Sequence, residues 1–182
     1  MVEMSIHNVV ASCQTDGKIP LARIAMEIEG IEYEPEQFPG LVLRLDEPKA
    51  AALVFSSGKI VCTGTKSPED AKTAVNNLIN MMKSIGIEIN GIKSLDIQNI
   101  VASADLGNEV NLNKIAFELD GIEYEPEQFP GLVYRMYDEN VVFLIFTSGK
   151  IICTGGKDVD QIRRSIEKLK AKLEEIGAIN KK

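Results

Sequence analysis

Little in these 182 residues points to bond-making chemistry. There is a single histidine, His7, and no Ser/His/Asp set, metal-ligand cluster or phosphate-cradling glycine loop accompanies it. No metal and no other cofactor is expected. An enzyme would have only Glu34 and Glu125 as candidate carboxylates, on watery turns that give neither a reason to act as acid or base. Three cysteines, Cys13, Cys62 and Cys153, cannot all pair and none has Cys-x-x-Cys spacing, so they read as reduced thiols serving as small buried hydrophobes. No apolar run has membrane-spanning length, and Met1-Val-Glu-Met-Ser lacks the regions of a secretion signal, which predicts a cytoplasmic protein. Excess basic charge is missing too. Twenty Lys and Arg against 27 Asp and Glu leave a net charge of -7, which alone argues against a ligand held by neutralising phosphates. Much of that acid is local, in Glu27 to Glu36 and Glu118 to Glu127, so another face can be neutral or mildly basic.

What the chain does have is repetition. Gly30-Ile-Glu-Tyr-Glu-Pro-Glu-Gln-Phe-Pro-Gly-Leu-Val42 recurs unchanged as Gly121 to Val133, 91 residues later. The same offset of 91 links Asn8-Val-Val-Ala-Ser12 to Asn99-Ile-Val-Ala-Ser103, and Phe55 to Gly64 with Phe146 to Gly155. An offset that never slips means two copies of one unit, 1–91 and 92–182, longer than the repeats of solenoids. A pseudo-two-fold molecule follows, with a ligand that is roughly symmetric or read in two similar halves.

Each unit opens with a β-branched alternating stretch, Ser5 to Cys13 or Leu95 to Ser103, then a short amphipathic helix carrying Leu21, Ile24, Ala25 and Ile28, or Leu112, Ile115, Ala116 and Leu119. Pro20 suits that helix's first turn. Hairpin-linked strands Leu41–Leu45, Ala51–Phe55 and Lys59–Thr63 come next, antiparallel by their short turns. A long helix from Pro68 to Ile85 closes the unit, with Ser67 as N-cap and Gly86 as its left-handed stop. Its apolar stripe from Ala71 to Ile85, like that from Ile162 to Ile176, covers one face only. Such helices lie on a sheet.

Alternation then sorts the strand residues. Ala52, Val54, Ile60, Cys62 and Gly64 fall on the helix side, and Leu53, Phe55, Val61, Thr63 and Val10 on the other. The second row is as apolar as the first, whereas a sheet covered on one side ordinarily turns a polar row to water. Either a second sheet packs on it as another core layer, or it is a binding surface with Asn8, Asn99, Thr63 and Thr154 as its hydrogen-bonding points.

These doubled stretches, Asn-[Val/Ile]-Val, Glu-Pro-Glu-Gln-Phe-Pro-Gly-Leu-Val-x-Arg and Phe-[Ser/Thr]-Ser-Gly-Lys-Ile-[Val/Ile]-Cys-Thr-Gly, resemble the core domain of the TATA-box-binding protein family from about Ser5 to Gly177. The compact acidic chain looks like the archaeal form. The resemblance implies an α+β fold: a pseudo-two-fold saddle, its curved ten-stranded antiparallel sheet carrying four helices on the convex face and seating the DNA minor groove beneath. That family is itself the standing example of kinking from the minor groove. By the same resemblance Phe38 with Phe55, and Phe129 with Phe146, intercalate at the two ends of the site. Asn8, Asn99, Thr63 and Thr154 reach minor-groove acceptors, while Val10, Leu53, Val61, Val101, Leu144 and Ile152 press on the groove floor. Arg44, Ser57, Lys59, Arg135, Ser148 and Lys150 hold phosphates.

The ligand implied is A·T-rich double-stranded promoter DNA, since a G·C pair adds an amino group that a close apolar surface rejects. A surface so alike in its two halves does not choose a direction on a near-palindromic box. Direction is expected from a transcription factor B-like partner gripping Tyr124, Glu125, Glu127 and Gln128, with the RNA polymerase assembly following. Bare of DNA, the same underside could pair with a second copy to give a homodimer. Arg163, Arg164, Lys168, Lys170 and Lys172 form a basic stripe on the last helix, read as plain solvation with a protein-docking surface as the alternative. A scaffold that holds a peptide on the same sheet is the non-DNA rival.

Overall fold

A computed structural model describes residues 1–179. Nine strands and four helices occur among them: β1 Met4–Thr15, α1 Leu21–Glu27, β2 Leu41–Asp46, β3 Lys49–Val54, β4 Lys59–Thr65, α2 Pro68–Ser84, β5 Ile92–Asp105, α3 Leu112–Glu118, β6 Ile122–Glu123, β7 Leu132–Met136, β8 Val141–Ile145, β9 Lys150–Gly156 and α4 Val159–Glu175. The predicted strands and helices are all present, several of the strands a residue or more longer, but β3 ends at Val54 with Phe55 just beyond it, and α2 ends at Ser84 with Ile85 as its C-cap. Pro20 stands at the N-cap of α1 rather than inside its first turn. The tenth strand of the expected saddle is reduced to one bridge, Glu32 with Val42, where the second copy has the short ladder β6.

Two compact units result. One is Asn8–Gln98; the other joins Met1–His7 to Asn99–Lys182. In the first, the strand order is β2-β3-β4-β1-β5, and in the second it runs from β5 through β9, β8 and β7 to β6. The β2/β3, β3/β4 and β1/β4 ladders are antiparallel, as are β6/β7, β7/β8, β8/β9 and β5/β9.

The long helices sit where their stripes require. Ser67 caps α2 by accepting from the Asp70 amide at 3.0 Å, and Asp158 caps α4 by accepting from the Gln161 amide at 2.7 Å. Ala71, Ala74, Val75, Leu78, Ile79 and Met82 of α2 are buried, as are Ile162, Ile166, Leu169 and Leu173 of α4. In the first unit they close over Leu41, Leu43, Ala52, Val54, Ile60 and Cys62, so one sheet face is the core. Among the described residues no helix is long and apolar enough to cross a membrane.

All three cysteines are buried, Cys13 and Cys62 within this first-unit core and Cys153 on β9 of the second unit. Burial pushes the Cys13 thiol up, and it pushes Cys62 up to about 11 with help from Cys13, and Cys153 up to about 12. Thiols so disfavoured as thiolates are inert packing groups.

Candidate nucleic-acid interface

The face opposite the helices is open in each unit. Antiparallel register lines up Val42, Leu53, Val61 and Ser12 across four strands, and Val133, Leu144, Ile152 and Ser103 across their counterparts. All eight are half-buried, while their strand neighbours on the helix side are buried. Val10 and Val101 are also half-buried. Among the described residues no second sheet of the same unit covers these rows, which removes the two-sheet sandwich reading within a unit.

Alternation misplaces one residue. Val9 pairs with Thr65 but Ala11 pairs with Cys62, so β4 holds an extra residue opposite β1, and β9 repeats this with Ile100 on Gly156 and Ala102 on Cys153. The bulge is built on Gly64 at φ 96° and Gly155 at φ 99°, a left-handed conformation suited to glycine. Gly64, expected on the helix side, is therefore exposed, and Thr65 takes the buried place and donates its hydroxyl to Val9 O at 3.3 Å.

That bulge aims an asparagine. The freed amide of Gly64 donates to Asn8 Oδ1 at 2.6 Å, and the Thr63 hydroxyl donates to the same oxygen at 3.2 Å. In the second copy Gly155 N donates to Asn99 Oδ1 at 2.6 Å, with Thr154 Oγ1 3.3 Å from Oδ1 and 3.2 Å from Nδ2. Because a backbone N–H can only donate, the carboxamide oxygen must face the bulge. That leaves Nδ2 as the donor of each carboxamide, and in Asn99 it also stands within reach of Thr154 Oγ1.

At the rim of each row stand two phenylalanines. Phe38 meets Phe55 with centroids 5.9 Å apart at 68°, and Phe129 meets Phe146 at 6.0 Å and 72°. Edge-to-face contact of this kind adds about 0.5–1.5 kcal/mol beyond the area buried. Phe38 and Phe129 are 41% and 44% exposed; Phe55 and Phe146 are half-buried against them. The outer ring of each pair rides on the acidic loop. Phe38 N donates to Glu34 O at 2.9 Å and Phe129 N to Glu125 O at 3.0 Å, so the Tyr-Glu-Pro-Glu-Gln turn and the aromatic pair are one construction.

Arg44, Ser57, Lys59, Arg135, Ser148 and Lys150 are all exposed, with Ser57 Oγ and Ser148 Oγ each 3.4 Å from the amide of the following lysine. Arg135 also leans on Glu123 at 3.7 Å, an open ion pair of small worth. On the acidic loop Glu125, Glu127 and Gln128 are exposed and Tyr124 is half-buried.

Sequence reasoning passed over two features. Gln98 Nε2 donates to Ser12 Oγ at 2.8 Å, and His7 Nε2 lies 2.5 Å from Ser103 Oγ, so the two matched serines are held by unmatched partners. Their repetition in both copies was the available signal. The basic stripe on α4 is largely tied down within the protein. Arg164 grips Glu139 through two nitrogens at 2.7 and 2.9 Å, Lys168 reaches the same carboxylate at 2.6 Å, and Lys172 Nζ stands 3.2 Å from Tyr134 Oη.

Comparison with known proteins agrees with this geometry. The family model described as "Transcription factor TFIID (or TATA-binding protein, TBP)" matches the chain twice, at residues 3–85 and 94–176. The TATA-box-binding protein of Archaeoglobus fulgidus is 55% identical over 177 residues, covering 96% of this chain and 97% of that one. That of Methanothermobacter thermautotrophicus is 49% identical over 178 residues, covering 98% of each. The solved structure of Methanococcus jannaschii TBP superimposes with a TM-score of 0.88 at 50% identity, over 95% of this chain and 99% of that one.

Proposed function

The chain belongs to the TATA-box-binding protein family, transcription initiation factors that bind TATA DNA and are not enzymes, and we propose that it opens the minor groove with its two phenylalanine pairs. The observation carrying this reading is the duplicated edge-to-face pair, Phe38 with Phe55 and Phe129 with Phe146, standing at the rim of a half-exposed apolar row. A rigid aromatic edge beside a flat apolar strip suits insertion between base pairs while the groove floor flattens on the sheet, a mode for which this family is the standing example.

Each repeat, 1–91 and 92–182, brings one phenylalanine pair and one apolar row to the DNA. Residues 180–182 lie outside the described residues. Val10, Leu53 and Val61, with Val101, Leu144 and Ile152, meet the sugar and base edges. Asn8 and Asn99 donate from their amino groups to adenine N3 or thymine O2, with Thr63 and Thr154 beside them. An A·T minor groove offers only acceptors, and guanine N2 would meet either an apolar wall or another donor. Arg44, Lys59, Arg135 and Lys150, with Ser57 and Ser148, take phosphates. Flexible pyrimidine–purine steps such as TA lower the cost of kinking, which adds preference without base contact.

The exposed acidic turn of the second copy, Tyr124, Glu125, Glu127 and Gln128, is the docking point for a transcription factor B-like protein, which in turn brings RNA polymerase. The work is done on the chromosome, in the cytoplasm. A gel shift with an A·T-rich duplex of about ten base pairs against a G·C-rich control tests the reading. Selective retention and bending of the first, both lost in Phe146→Ala, is the expected result. Equal retention of the two duplexes, or undiminished bending by Phe146→Ala, would overturn it.

A further inference from the structure

We propose that Gly40 and Gly131 are positioning residues for the aromatic wedges, each keeping clear the space in which its two rings meet. The inference rests on the intercalation proposed above.

Neither glycine belongs to those with positive φ, so the backbone does not require a residue without a side chain at either place. Space does. A β-carbon on Gly40 would stand 2.7 Å from Phe38 Cε2 and 3.0 and 3.2 Å from Phe55 Cε1 and Cζ. On Gly131 it would stand 2.7 Å from Phe129 Cε2 and 2.9 and 3.1 Å from Phe146 Cε1 and Cζ. One absent methyl group thus touches both rings of a pair, and the arrangement occurs twice in one chain.

The atoms met are the far edges of rings at the rim, not backbone or core. An alanine would be accommodated by swinging the rings apart, at little cost to the sheet beneath. For the wedge the cost is specific, because two rings braced against each other before DNA arrives have less freedom to lose on insertion than two that move separately. Glycine here therefore serves the shape of the inserting edge. Fold stability should fall by no more than the worth of the lost edge contact, less what the stiffer unfolded chain returns.

The test compares Gly131→Ala and Gly40→Ala with Phe146→Ala in the full chain. Thermal unfolding reports the fold, ring-to-ring nuclear Overhauser effects in the free protein report the pair, and end-to-end energy transfer on an A·T duplex reports the bend. We expect near-parental unfolding for both glycine variants, weakened ring contacts, and binding about tenfold weaker with a shallower bend, in line with the loss of a pre-organised group. A duplex carrying a mismatch at the opened step should recover most of that loss, since its step is already unstacked. Unchanged ring contacts, or parental affinity and bend in the glycine variants while Phe146→Ala loses both, would overturn the inference. So would loss of fold in both glycine variants. If Phe146→Ala binds and bends like the parent, the intercalation reading itself fails, and the ring contacts measured without DNA separate the two failures.

Discussion

Asn8 and Asn99 show how much one carboxamide's orientation can decide. With the oxygen held by the Gly64 or Gly155 amide at 2.6 Å, the remaining polar group of each carboxamide is a donor, the kind that a groove presenting acceptors would accept. Asn8→Asp keeps an oxygen for the glycine amide and puts a second, negatively charged oxygen in place of the amino group. We expect an unfolding midpoint close to the parent but TATA binding at least about tenfold weaker, since an acceptor would face an acceptor. Titration by fluorescence anisotropy checks it, and parental affinity would mean the amino group is not used. Phe55→Ala belongs at this scale as well. Because the ring is half-buried, the variant should lose about 1 kcal/mol of stability from the missing edge contact, measurable by urea unfolding, and far more than that in binding.

Among the elements, the two sheet faces of each unit differ in burial, and substitutions on them are expected to divide between stability and binding. Leu78 on α2 is buried within the helix-side core, and Leu53 on β3 is half-buried on the open side. Leu78→Ala should cost about 2–5 kcal/mol in urea unfolding, whereas Leu53→Ala should cost much less and weaken DNA binding. The tie between the β7–β8 turn and α4 gives a pH signature. Side-chain hydrogen bonds from Arg164 and Lys168 hold the Glu139 carboxyl at about 2, below its ordinary 4.5. A carboxyl lowered on folding stabilises fully above its unfolded value and loses that contribution as pH falls from about 4.5 towards 2. Glu139→Gln should therefore lower the melting temperature at pH 7, with the gap to the parent closing across that acid window; a gap independent of pH would refute the assignment. The long helices, the serine start of α2, the glycine that follows each of them, and the side most strand residues face were legible in the chain because they follow local signals and periods. The bulge was not, since counting alternate residues assumes no insertion, and Gly64 consequently landed on the wrong side. Nor could periodicity reveal that Arg164 and Lys168 close on Glu139, a residue on a distant turn whose counterpart in the first copy is Pro48. The role of Gly40 was hidden similarly, because ring approach is a tertiary fact.

Taken whole, the molecule binds a polyanion while carrying a net charge of -7. Apolar contact and shape carry the affinity if only four to six cations meet phosphate, so log K against log salt should have a slope of about -4 to -5. A slope near about -10 would shift the load to charge. The likeness of the halves, Phe for Phe and Asn for Asn, also predicts that DNA alone is bound both ways round. Cleavage from a tethered reagent should be two-directional until the transcription factor B-like partner is added; one-way cleavage without it would refute this. The compact units carry a further consequence. Met1–His7 lies with Asn99–Lys182, and the residues that match Met1–His7 at the offset of 91, namely 92–98, lie in the other unit. The trade is reciprocal, so a gene fragment encoding 92–182 alone would yield a chain missing the strand it borrows and holding one it lends. Such a fragment should therefore unfold at a lower temperature than the same residues do within the full chain, because it lacks the stretch Met1–His7 with which they cluster.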